Sequence, residues 1–148
     1  MVGSGHRIRF SHTVGVFRLR AALRHDRLMQ LRIARHTDRL DEVVGFYRDR
    51  VGFREIGRFN DHDGYDGVFL EIPGTCAQLE LTTGGDHRAA EPHPESLLVL
   101  YFDTETALDE VAGRIAQTPI IPANPYWRAH ARAYVDPDGF QLLITLTT

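Results

Sequence analysis

The chain contains no lysine; all 17 of its basic residues are arginine. Chemistry that needs a lysine amine, such as a Schiff base or a phosphate-binding P-loop, is therefore excluded. Cysteine occurs once, at Cys76. That excludes an internal disulfide and a CxxC metal knuckle, and makes a reducing cytoplasm the expected compartment. No stretch approaches the ~18 uninterrupted apolar residues of a membrane helix, so no membrane partner is expected. GxSxG, a Gly-rich nucleotide fingerprint, and HExxH or HxxxH spacing among the eight histidines are all missing.

What is present is an ordinary folded composition. The 148 residues are 43% hydrophobic and 25% charged, which suits one domain. Charge is distributed unevenly. Residues 1–28 carry six arginines against Asp26 alone, whereas 29–148 carry 11 arginines against 19 acids. An acidic folded part argues against a nucleic-acid partner. Residues 1–28 show only a ragged apolar pattern and no secretory core, and read as an irregular basic N-terminal extension. Met29 stands directly before the first clear strand and is a candidate translation start.

From Met29 onward the periodicity is regular. Leu31–His36 reads as a strand, and Thr37 or Asp38 as a helix cap. Leu40, Val43, Val44 and Tyr47 fall on one helical face, which Gly52 terminates. Phe53–Phe59, Gly67–Ile72 and Ala77–Thr83 read as strands, the last two joined at Pro73-Gly74. A linker without apolar runs spans Thr83–Glu95. The order then repeats: strand Leu97–Phe102, a Thr104-capped helix with Leu108, Val111, Ala112 and Ile115 on one face, a short strand at Ile120-Ile121, and strands Ala131–Val135 and Phe140–Leu146 around Asp136-Pro137-Asp138-Gly139. Leu40-Asp41-Glu42-Val43-Val44-Gly45 recurs as Leu108-Asp109-Glu110-Val111-Ala112-Gly113 at the same place in its unit. We read an α+β domain over 29–148 made of two βαβββ modules, 30–83 and 96–147.

Three stretches resemble the vicinal oxygen chelate superfamily of glyoxalases, extradiol dioxygenases and bleomycin- or fosfomycin-resistance proteins. They are Thr37–Tyr47 followed by Val51-Gly52-Phe53, then Leu79-Glu80-Leu81, then Asp136-Pro137-Asp138-Gly139-Phe140. The resemblance covers about 30–147. It implies a curled eight-stranded cup with helices outside, and a homodimer. It also implies up to four metal ligands, on the first and last strand of each module. In this chain those positions fall on Arg32, Glu80, Leu97 and Leu143. Arginine cannot ligate a cation, the leucines have no donor, and one carboxylate is too few. No metal or other cofactor is expected. Arg32 and Glu80 would instead form an ion pair in the cup, costing about 3–5 kcal/mol to break if buried.

Other residues join this picture. His36 shares the strand parity of Arg32, and Tyr101 that of Leu97 and Val99. Asn124-Pro125-Tyr126-Trp127, similar to a segment of some uncharacterised superfamily members, would lie near the rim as an aromatic wall. His62, His87 and His93 read as solvated loop residues. Asp61–Asp66 lacks the glutamate of a calcium loop. The expected ligand-binding set is Arg32, His36, Glu80, Tyr101, Asn124, Tyr126 and Trp127, around a small organic molecule held without metal. Two alternatives stand beside it: a glyoxalase-type lyase or isomerase with Glu80 as catalytic general base, and a non-catalytic dimeric scaffold.

Overall fold

The computed structural model describes residues 29–147; the basic extension expected over 1–28 lies outside the described residues. Strand β1 (Leu31–His36) leads into helix α1 (Leu40–Gly45). The helix is not capped by Thr37 or Asp38 at its first turn. Arg39 holds the cap position, and Thr37 instead accepts a 3.0 Å bond from the Arg39 backbone N–H. Beyond Gly45 the chain widens into a π-helical turn, Phe46–Val51, closed by Gly52 at φ 100°. The turn carries Phe46, Tyr47 and Val51 into the core together.

Strands β2 (Arg54–His62), β3 (Tyr65–Glu71) and β4 (Ala77–Gly84) complete a four-stranded sheet in the order β1-β4-β3-β2. β1 and β4 run parallel, with Arg32 opposite Gln78 and Ala34 opposite Glu80. The expected polar loop between β2 and β3 is shorter than its composition suggests, because both strands run into the turn. Asp61, Asp63 and Gly64 take positive φ there to reverse the chain tightly.

The second half contains β5 (Leu97–Phe102), α2 (Glu105–Ile115), α3 (Pro125–His130), β6 (Arg132–Val135) and β7 (Gln141–Leu146). Thr104 caps α2, accepting from the Ala107 N–H at 3.2 Å. Its three strands pair in the order β5-β7-β6. Where an eighth strand was expected, a single bridge joins Ile120 to Ala133. Pro119 and Pro122 flank that point and withhold the N–H groups a longer ladder needs. The described sheets therefore have four and three strands, an α+β arrangement.

Alternation sorts each sheet into two faces. On the first sheet Leu79, Leu81, Val68 and Leu70 are buried in one cluster with Val43, Val44 and Tyr47. On the second, Leu142, Ile144 and Tyr134 join Leu108, Val111 and Ile115 in that cluster. The opposite face of the first sheet carries Arg32, His36 and Glu80, and that of the second carries Tyr101 beside the buried Ala133, Leu143 and Thr145.

Candidate functional site: the open face of the first sheet

Arg32, Ala34 and His36 share the open face of β1, beside Gln78, Glu80 and Thr82 of β4. Phe69 of β3 lies directly opposite Glu80. Arg32 reaches across β4, its guanidinium carbon 4.5 Å from the centre of the Phe69 ring. From there it donates to the Gln78 side-chain oxygen through Nε and Nη2, each at 3.2 Å, and to Glu80 Oε2 at 3.4 Å. The Arg32 side chain is 47% exposed and that of Glu80 18%. The pair is thus solvent-facing rather than buried. Among the described residues β1 is an edge strand, and nearly half of the Arg32 side chain is exposed.

His36 lies further along the same strand. Its Nε2 is 3.1 Å from the His87 carbonyl oxygen, and its ring meets those of Tyr65 and His87 edge-on. The linker residue His87 lies beside this face and is at the same time exposed, as expected of a solvated loop residue.

The remaining expected residues lie on the second half. Tyr101, Tyr126 and Trp127 line a cleft of about 420 Å³ together with His130, Arg132 and Thr145. The segment expected as a rim loop is the short helix α3, because Asn124 caps it by accepting from the Tyr126 N–H at 2.9 Å and Pro125 supplies a ready-made first turn. Asn124 thus has a structural task. Tyr126 stacks on His130 at 4.2 Å and meets Trp127 edge-on at 4.9 Å. This cleft contains none of Arg32, His36 or Glu80. The seven expected residues fall into two groups rather than one pocket.

The four positions where the resemblance implies metal ligands do not fit a divalent cation. Glu80 already faces a fixed positive charge at 3.4 Å, and Leu143, with no lone pair, is wholly buried. Among the described residues, no three of His, Cys, Asp and Glu are grouped to hold a metal. Cys76 is a half-buried free thiol.

Sequence reasoning missed three partners of this face: Gln78, Phe69 and His87. Gln78 was recoverable, since it stands two residues before Glu80 and so on the same side of the strand. Phe69 and His87 needed the strand register and the linker path.

Comparison with known proteins places these observations in a family. A model of the YycE-like N-terminal domain matches residues 31–82, and one of the YycE-like C-terminal domain matches 95–145. The chain is 36% identical over 118 residues to the uncharacterized protein YycE of Bacillus subtilis (strain 168), covering 77% of this chain and 85% of that one. A crystal structure of a Bacillus subtilis YycE protein of unknown function, a putative glyoxalase/fosfomycin resistance protein, superimposes with TM-score 0.74 at 34% identity, over 80% of this chain and 90% of that one. A glyoxylase/bleomycin resistance protein/dioxygenase domain from Frankia sp. EAN1pec shares the fold at TM-score 0.62 and 16% identity, over 79% and 95% of the two chains.

Proposed function

Because the chain belongs to the YycE-like family of the vicinal oxygen chelate superfamily, we propose that it is a cytoplasmic protein that binds a small organic molecule without a metal. The observation that carries this is Arg32. It stands where the resemblance puts the superfamily's first metal ligand; it lies over Phe69, is steadied by Gln78 and Glu80, and keeps nearly half its side chain in solvent. A guanidinium so held offers an anionic or strongly polar group two parallel N–H donors, while Phe69 offers the rest of the ligand an apolar platform. Leu97, Val99 and Tyr101 would supply the greasy side if the two sheets curl into one cup.

The test combines ligand titration with metal analysis. Protein purified without chelator is expected to carry far less than one equivalent of zinc, nickel, iron or manganese. Carboxylate- or phosphonate-bearing aromatic compounds should bind to it, and Arg32→Leu should weaken them by about tenfold or more. A tightly held stoichiometric ion touching Glu80 overturns the reading, as does ligand binding indifferent to Arg32.

One observation favours a second reading. Glu80 is a carboxylate on this face, mostly shielded from solvent and directly opposite a phenyl ring. That is a usable setting for a general base of a lyase or isomerase. Turnover on a glyoxalase-type substrate, abolished in Glu80→Gln, would establish it; unchanged turnover removes it.

A further inference from the structure

The cleft lined by Tyr101, Tyr126 and Trp127 contains none of the residues on the Arg32 face. Its volume of about 420 Å³ lies within the ~300–1,000 Å³ of small-molecule pockets. The buried Leu108 and Ile144 line it as well, so its surface is partly apolar.

The short helix α3, which carries two of the three rings, is held firmly. Asn124 accepts from the Tyr126 N–H at its start, and the Thr145 hydroxyl donates to the His130 carbonyl at its end, at 2.5 Å. Arg128 donates to the carbonyls of Pro122 and Ala123 at 2.8 and 2.9 Å. His130 stacks on Tyr126, and its Nδ1–H donates to the Tyr126 carbonyl at 2.6 Å. Tyr126 nevertheless stays 53% exposed, and Tyr101 57%. Aromatic rings fixed in place and still open to solvent lose little freedom when a ligand arrives.

Charge selects the ligand. Arg132, a cation in the lining, is taken up by Asp109 at 2.7 Å. Glu105 also lines the cleft, and among the described residues it joins none of the ion pairs. Asp103 adds a second carboxylate beside it, accepting from the hydroxyl of the lining residue Thr147 at 3.3 Å. Aromatic rings attract cations, alkylated ammonium groups above all, and a carboxylate supplies the counter-charge. We propose that this cleft is a second ligand site, which takes a compact organic cation of the quaternary ammonium type among Tyr101, Tyr126 and Trp127, with Glu105 as its counter-ion. The two sites then select opposite charge: an anionic or polar group at Arg32, a cation here.

The proposal does not rest on ligand binding at Arg32. Trp127 is the single tryptophan of the chain, so intrinsic fluorescence of the full-length protein reports on this cleft. Choline and benzyltrimethylammonium, titrated at constant ionic strength and about pH 8, where an ordinary histidine is neutral, are expected to change that fluorescence saturably. The tert-butyl analogue of choline, with carbon in place of the charged nitrogen, should bind about tenfold more weakly. Glu105→Gln should weaken choline about two- to fivefold and leave the uncharged analogue unchanged. Arg32→Leu should alter neither. The ranking of the two ligands in the unmodified protein stands without any variant. The absence of a saturable change overturns the proposal, as does an uncharged analogue that binds as tightly as choline. Choline binding indifferent to Glu105→Gln, or lost in Arg32→Leu, overturns it too.

Discussion

Arg32 and Arg35 stand three residues apart on one strand and meet opposite environments. Arg32 is half in water, and its ion pair with Glu80 is worth less than about 1 kcal/mol in such a setting. Arg35 grips Asp136, whose side chain is wholly buried and which also accepts from the Asp138 and Phe140 backbone N–H groups. Arg32→Leu should therefore leave urea unfolding nearly unchanged. Asp136→Ala should lower stability by about 3–5 kcal/mol, because it strands a guanidinium and a phenol. This inverts the sequence-based expectation, which assigned the costly pair to Arg32. Counting from the Phe46-Tyr47 motif gave Arg32, the Leu79-Glu80-Leu81 stretch gave Glu80, and the two stand 3.4 Å apart. Neither said anything of Asp136, which read only as a turn residue and lies 101 residues from its partner.

Tyr47 adds a pH dependence at the same scale. Burial, reinforced by the Asp136 carboxylate and partly offset by Arg35, raises its hydroxyl pKa well above the ordinary 10.0. Tyr134 is raised as well, chiefly by burial. A raised folded-state pKa means that the stabilisation is intact below the unfolded value of about 10 and lost as pH climbs beyond it. Unfolding free energy should fall as pH rises above about 10. Tyr47→Phe should flatten that slope without abolishing it, as denaturant titrations at several pH values would show.

At the scale of elements, periodicity and caps were the legible signals. The repeated Leu-Asp-Glu-Val stretch lies on α1 in the first module and inside α2 in the second. The π-helical turn was not legible, since Tyr47 and Val51 continue the 3.6-residue pattern and nothing local announces the extra width. The helix at Pro125–His130 was hidden by its brevity, although Asn124 followed by Pro125 is a start signal. Gly84 shows what local geometry demands. Its φ is 108°, and a Cβ there would lie 2.4 Å from the Gly64 carbonyl oxygen, a backbone atom that cannot swing aside. Gly84→Ala should cost at least ~1–2 kcal/mol for the backbone conformation alone and open the Tyr65 end of the β3–β4 pair. Thermal unfolding and amide exchange at Tyr65 would register it.

For the whole molecule, the motif order announced the superfamily, while the arrangement of its parts needed coordinates. Parity and the resemblance put Arg32, His36, Glu80, Tyr101 and Trp127 around one pocket. The structure sets the first three on one sheet, Tyr101 on the other and Trp127 on α3, because parity fixes a side chain's face but not the distance between sheets. The homodimer implied by the resemblance is a prediction at this scale. Light scattering should return twice the 16.8 kDa chain mass, and a single-chain mass across a wide concentration range would count against it.

Asp136 has one more consequence, for the order of biosynthesis. The first four strands leave the ribosome well before the Asp-Pro-Asp-Gly turn is made. Until then, Arg35 and Tyr47 have no carboxylate to receive their protons. The nascent half must wait, hydrated and incompletely locked, for an acceptor made 101 residues after Arg35.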